Sequence, residues 1–235
     1  MREDVLFSED EWMSSTELVV MLDFLSLTQQ KRSDRKWRLF ACACCRRIWR
    51  LLIDDRCMRA VEVAERFADS GATEDDLQAA RDEANAAEVE HVLLPHPVVS
   101  HLRFRAATFA AYRVSGQAAY SASCYSQEAV EEAEGNANAS EKLSQIHILR
   151  DIMGNPFNPV TIEPAWLTPA VTGLATAAYE ERHLPSSTLD NDRLRVLADA
   201  LEDAGCDNTA ILNHCRSGTQ HVRGCFVIDL LLGKS

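Results

Sequence analysis

No stretch of the 235 residues approaches the roughly 18 consecutive apolar positions that a membrane helix needs. Apolar runs are short, such as Phe226 to Ile228 and Leu230 to Leu232. The opening MREDVLFSEDEWMSSTELVV carries acids where a secretory signal would have a basic n-region. Net positive charge is also missing: the formal charge is −12 and the pI near 5. Such a surface repels nucleic acid and anionic membrane. Catalytic signatures are equally scarce. There is no His-Glu-x-x-His, no nucleophile elbow, no glycine-rich phosphate loop and no paired-carboxylate motif. Without an export signal, a cytoplasmic location is expected, with all eight cysteines as reduced thiols.

What is present points to helices. Apolar residues make up 46% and charged residues 26% of the chain, enough for a packed core. Ser8 to Glu11 reads as a capping box, followed by the apolar run Leu18 to Leu27. Ser33-Asp34 opens a long helix to about Ile53, and Asp54-Asp55 caps another that runs to Gly71. Thr73 to Asp76 caps the next helix, so the two pair as an antiparallel hairpin. Pro95 and Pro97 break the chain before a helix expected from Val99 to Tyr120. The acidic, small-residue stretch Ser126 to Ser140 predicts a helical turn and then a mobile loop. A helix from Ser140 should stop at Gly154, where four prolines up to Ala170 exclude most regular structure. Further helices are expected over 170–182, 192–204, 208–215 and 222–232. The predicted fold is therefore all-α, a multi-helix bundle of roughly nine to ten helices with a proline-rich irregular segment near 154–170. The expected organisation is an N-terminal bundle over 1–153, then a connector and C-terminal helical subdomain over 154–235, separate or packed as one domain.

Two constellations stand out. On the wheel of the long helix, Trp37, Phe40, Ala41, Cys44, Ile48, Leu51 and Leu52 share a core stripe. Arg35, Arg38, Arg46 and Arg50 fall opposite, with Cys42 and Trp49 among them. Residues 31–59 hold ten of the 24 basic residues and three of the 36 acids. Such a face could grip a phosphate, a base or a partner protein, or pair with the acidic remainder of the chain. The second constellation is Cys206, His214, Cys215, His221 and Cys225. His221 and Cys225 stand at i, i+4 spacing, so both would project from one face of the last helix. Thiols and imidazoles brought together around a turn suit tetrahedral zinc. The spacing C-x7-H-C-x5-H-x3-C is not that of a zinc finger, so buried thiols beside hydrogen-bonded histidines are the plainer reading.

Weaker candidates complete the survey. His91, His96 and His101 bracket the proline break near Glu88 and Glu90, where a His/Glu pair could bind a metal or move a proton. Phe157 and Trp166 are large apolar groups in the proline segment, placed to clamp it onto the helices or to line a groove for a partner peptide.

Three blocks carry a resemblance: SDRKWRLFACACCRRIWRLL (33–52), LRDIMGNPFNPVTIEPAWLT (149–168) and LADALEDAGCDNTAILNHCRSGTQHVRGCFVIDLLLGK (197–234). They resemble a family of uncharacterised proteins multiplied in planctomycete bacteria, some of which lie beside or are fused to a short "repeat-companion" domain. The resemblance covers roughly half of the chain. It implies a cytoplasmic bacterial protein with an adaptor role and transfers no catalytic residue. The leading expectation is thus a non-catalytic helical scaffold that binds a protein partner, as a monomer or a homo-oligomer. No cofactor is expected unless the tail cysteines and histidines hold zinc. A thiol or His/Glu enzyme and a nucleic-acid binder using the arginine face are the remaining alternatives.

Overall fold

Helix starts along this chain are set by short polar side chains that satisfy the first free N–H groups. Ser8 accepts from the Glu11 N–H while the Glu11 carboxylate accepts from the Ser8 N–H, which completes the expected capping box. Ser33, Asp54, Thr168, Asp190 and Asn208 cap in the same manner. The structure, a computed structural model, describes residues 7–28, 33–92, 102–111, 116–134 and 138–234. Among these residues it is all-helical, with no strand.

Twelve α-helices follow in order: α1 (Glu9–Ser14), α2 (Leu18–Leu27), α3 (Asp34–Arg47), α4 (Asp55–Ala68), α5 (Glu74–Val92), α6 (Leu102–Ala110), α7 (Gly116–Glu134), α8 (Asn138–Met153), α9 (Pro169–Glu180), α10 (Asn191–Asp203), α11 (Thr209–Arg216) and α12 (Phe226–Leu231). The expected hairpin is α4 against α5. Gly154 ends α8 with φ +67°, as the C′ reading required.

Three expectations are corrected. The long helix stops at Arg47, and Trp49–Leu51 continue it only as a 3-10 turn. The helix foreseen over 99–120 is instead α6 and the start of α7. The foreseen loop in 126–140 is helix through Glu134, because Ser126, Ala129 and Val130 are buried while Glu128, Glu131 and Glu132 face solvent. That amphipathic spacing outweighs an acidic composition. Pro95 and Pro97 lie outside the described residues.

Two hydrophobic cores result. The first gathers Trp12, Phe40, Ile48, Val61, Phe104, Ile148 and their neighbours with a dense set of alanines. Small residues such as Ala60, Ala64, Ala107 and Ala122 let α3, α4, α6 and α7 approach closely. The second core gathers Trp166, Tyr179, Leu197, Leu201, Ile211 and Ile228. Trp166 thus clamps the proline segment into the second core. Phe157 remains partly exposed and stacks on Phe24 of α2 at 5.2 Å.

Every residue of α3 from Trp37 to Arg46 is buried, so this helix is surrounded on all sides. The basic face is therefore covered. Arg46 forks onto Glu65 of α4 at 2.8 and 3.0 Å, donates to the Pro185 carbonyl and stacks over Trp49 at 4.1 Å. Arg35 bonds Asp69 at the end of α4, Tyr179 of α9 and Asp229 of α12. Arg38 is buried over the Phe67 ring. Of the four arginines on that face only Arg50 is exposed. Arg35 and Arg46 thus pair with acidic residues within the chain, the arrangement that the second of the two readings described.

Gly224 fixes where the C-terminal half touches α3. Its φ is +93°, and a Cβ there would stand 2.8 Å from Leu39 Cδ1. Gly205 has a similar φ of +87° but open space around it. Gly205→Ala should therefore cost about 1–2 kcal/mol from backbone strain alone. Gly224→Ala adds an overpacking penalty of about 1–3 kcal/mol. Urea unfolding of the two variants should show the second midpoint clearly lower; equal midpoints would contradict the close approach to Leu39.

Candidate metal centre

Four side chains from four places in the chain meet beside the first core. Asp151 projects from the last turn of α8, on the same apolar side as Ile148 and Ile152. His214 comes from the C-terminal turn of α11, which the Asn208 cap starts. His221 follows the turn after α11, and Cys225 is the residue just before α12. His221 and Cys225 are not on a helix, contrary to the spacing argument. Gly224 in the left-handed region interrupts any helix between them, and the turn is closed by Cys225 N–H to the Val222 carbonyl at 3.0 Å.

The donor atoms converge on one point. His221 Nδ1 lies 2.7 Å and His214 Nε2 3.0 Å from the same Asp151 oxygen, Oδ1. His214 Nε2 is also 3.2 Å from Cys225 Sγ. All four atoms lie within 4.8 Å of one another. Among the described residues this is the one group of three or more such side chains able to hold a metal ion. Asp151, His221 and Cys225 are buried, and only the edge of His214 reaches the surface.

Outer contacts aim the ligands. Asp151 Oδ2 accepts the Val222 N–H at 2.9 Å, which leaves Oδ1 for the centre. Ser217 Oγ is 3.0 Å from His221 Nε2, which leaves Nδ1 for the centre. Outer hydrogen bonds of this kind, here on Asp151 and His221, are how metal sites orient carboxylate and imidazole.

The four groups offer a hydrogen-bond network and, equally, the donor atoms for a cation. A ring nitrogen carries one hydrogen at most, yet His214 Nε2 faces both a carboxylate oxygen and a sulfur. His221 Nδ1–H and His214 Nε2–H can both donate to Asp151 Oδ1, and the Cys225 thiol carries a hydrogen of its own. Burial pushes the Cys225 thiol far up, with the Asp151 charge adding to the effect. Burial also raises Asp151, but hydrogen bonds from His214 and His221 outweigh it and hold this carboxyl well below the usual range. A cation at the centre would stabilise thiolate and carboxylate together.

The same residue types suggest a Cys–His–Asp triad, and the geometry argues against one. In a triad the base touches its nucleophile with one ring nitrogen and its orienting acid with the other. Here sulfur and carboxylate both meet Nε2 of His214.

Of the five residues singled out in the tail, His214, His221 and Cys225 belong to this group, and Cys206 and Cys215 do not. Cys206 and Cys215 are buried in the second core, and burial, with Asp151 and Cys206 nearby, lifts Cys215 to about 12. Asp151 escaped notice because it lies far from the cysteine–histidine set in sequence. The available signal was a carboxylate on the buried side of an apolar helix turn. His91 bonds its own helix through the Ala87 carbonyl and packs on Phe104, while Glu88 and Glu90 pair with Arg105 and Arg56. His96 and His101 lie outside the described residues.

The thiols provide a direct check. Cys42, Cys44, Cys45, Cys57, Cys206, Cys215 and Cys225 are all buried, and only Cys124 is partly exposed. Desolvation raises Cys42, Cys44 and Cys45 strongly, which keeps them protonated and unreactive. Ellman's reagent at neutral pH should therefore modify Cys124 first and the others only on unfolding. Rapid labelling of any buried thiol would revive the thiol-enzyme reading.

Comparison with known proteins adds no relative: no family model, no curated protein and no solved structure matches the chain.

Proposed function

We propose that this chain is a zinc-stabilised, non-catalytic helical module whose work is to hold a protein partner. The observation that carries the metal half of this reading is the convergence of Asp151 Oδ1, His214 Nε2, His221 Nδ1 and Cys225 Sγ within 4.8 Å. Calcium and magnesium take oxygen ligands, whereas two imidazoles, one thiolate and one carboxylate suit zinc. Donors around a tetrahedral zinc stand about 3.3–3.6 Å apart, so the contacts of 2.7–3.2 Å would open and the wider ones, up to 4.8 Å, would close around an ion. Four protein ligands fill the tetrahedron and leave no position for water or substrate, which favours a structural role over a catalytic one.

The scaffold half rests on what is used up. A cleft of about 310 Å³ beside α3 is lined by Asp34, Arg35, Arg38, Phe67, Glu74 and Leu77, with no nucleophile or histidine among them. Arg35 and Arg46 are committed to internal carboxylates, which takes both out of reach of nucleic acid or an acidic partner. The net charge of −12 favours a partner with a basic surface. The adaptor role implied by the planctomycete resemblance is of the same kind.

Native mass spectrometry of the untagged protein tests the metal. The expected result is an excess of about 63 Da per chain, zinc replacing two protons, that disappears on denaturation. Cys225→Ser and His221→Gln should lose that excess, while Cys206→Ser and Cys215→Ser should keep it. A bare chain mass, or loss of metal in the Cys206 variant instead, would overturn the assignment. Affinity capture from a native extract tests the scaffold role, which fails if no protein is retained in a salt-sensitive, saturable manner.

A further inference from the structure

The two ligands that lie closest in sequence, His221 and Cys225, enclose three residues that each bind the N-terminal half. Val222 is buried in the first core, and its N–H bonds Asp151 at 2.9 Å. Arg223 reaches Asp69 at 2.9 Å and lies 3.3 Å from the Tyr179 hydroxyl. Gly224 lies against Leu39 of α3 with no room for a Cβ. His221 itself accepts the Leu189 N–H on its carbonyl at 2.9 Å. The carbonyl of Cys225 accepts from Asp229, the residue whose carboxylate bonds Arg35. Segment 221–225 is thus the plug by which the C-terminal half seats on the bundle, and both ends of the plug carry a ligand.

We infer that metal binding operates this plug as a latch: loading the Asp151/His214/His221/Cys225 centre seats 221–225 on the N-terminal half, and losing the metal releases it. The inference rests on the metal-binding reading above. Three ligands come from the C-terminal half and one, Asp151, from α8, so an ion at the centre ties the two halves together. Bonds to His221 and Cys225 close a short loop and remove the freedom of Val222 and Arg223 between them. Without the ion, the plug keeps only its hydrogen bonds and the Arg223 ion pair with Asp69. Local opening is then easier at this segment than in helices such as α4 and α5. Each opening withdraws Arg223 from Asp69 and frees the Leu189 N–H, so the effect spreads to the 183–189 loop and α12.

Hydrogen exchange on the full-length protein, stripped with a chelator and then reloaded with zinc chloride, decides it. With zinc, the amides of Leu189, Val222, Cys225 and Asp229 should exchange at least ~10-fold more slowly, and those of α4 and α5 should change by less than about twofold. Asp151→Asn keeps an oxygen for the Val222 N–H but removes the anionic ligand; it should stay folded by circular dichroism and gain no protection from zinc. Equal exchange at these four amides in the loaded and stripped protein would overturn the latch while leaving the metal site intact. So would uniform slowing that includes α4 and α5, which marks global stabilisation. Failure of the wild-type chain to take up zinc sinks the metal reading itself, and the latch with it.

Discussion

A central helix that carries guanidinium groups cannot be buried by apolar contacts alone. Stripping a charge of water costs several kcal/mol, and removing one partner of a buried pair typically costs about 3–5 kcal/mol. Helix α3 is buried from Trp37 to Arg46 with two arginines inside that span, and Arg35 enters one turn earlier. The rest of the molecule is arranged around their needs. Helix α4 supplies Glu65 and Asp69, which places it along α3. Helix α9 supplies the Tyr179 hydroxyl, α12 supplies Asp229, and the 183–188 loop turns the Pro185 carbonyl to Arg46. The C-terminal half is seated by this demand as much as by its own core.

The same seating assembles the candidate centre. Arg223 and Gly224 dock against the α3–α4 side, and the turn that docks them carries His221 and Cys225 to α8. Asp151 divides its two oxygens, one to the Val222 backbone and one to the imidazoles. One carboxylate therefore joins the fold of the turn to the chemistry of the centre. Sulfur and carboxylate share a single nitrogen of His214, so Cys225, His214 and Asp151 form no triad, whereas His221 meets Asp151 through Nδ1 and Ser217 through Nε2.

Much of this was legible in local sequence. Helix starts at Ser8, Ser33, Asp54, Thr73 and Asn208 follow from side chains that cap their own N-termini, an interaction complete within a few residues. Gly154 ends its helix for an equally local reason, its positive φ. The failures share a cause as well. The continuation of α7 through Glu134 depends on Ala129 and Val130 meeting neighbouring helices, which composition does not report. His221 and Cys225 have helical spacing but sit in a turn, because Gly224 must lie against Leu39.

The sequence alone therefore determined the class of fold, the positions of most helices, and the residue types from which a metal site could be drawn. It also bounded the charge that any partner must tolerate. Only the tertiary structure decided that the arginine face looks inward, that Cys206 and Cys215 stand apart, and that Asp151 completes the group. The physical reason is range. Capping and helical periodicity act over three or four residues, whereas an ion pair such as Arg35–Asp229 or a ligand pair such as Asp151–His221 exists only after the chain has closed on itself.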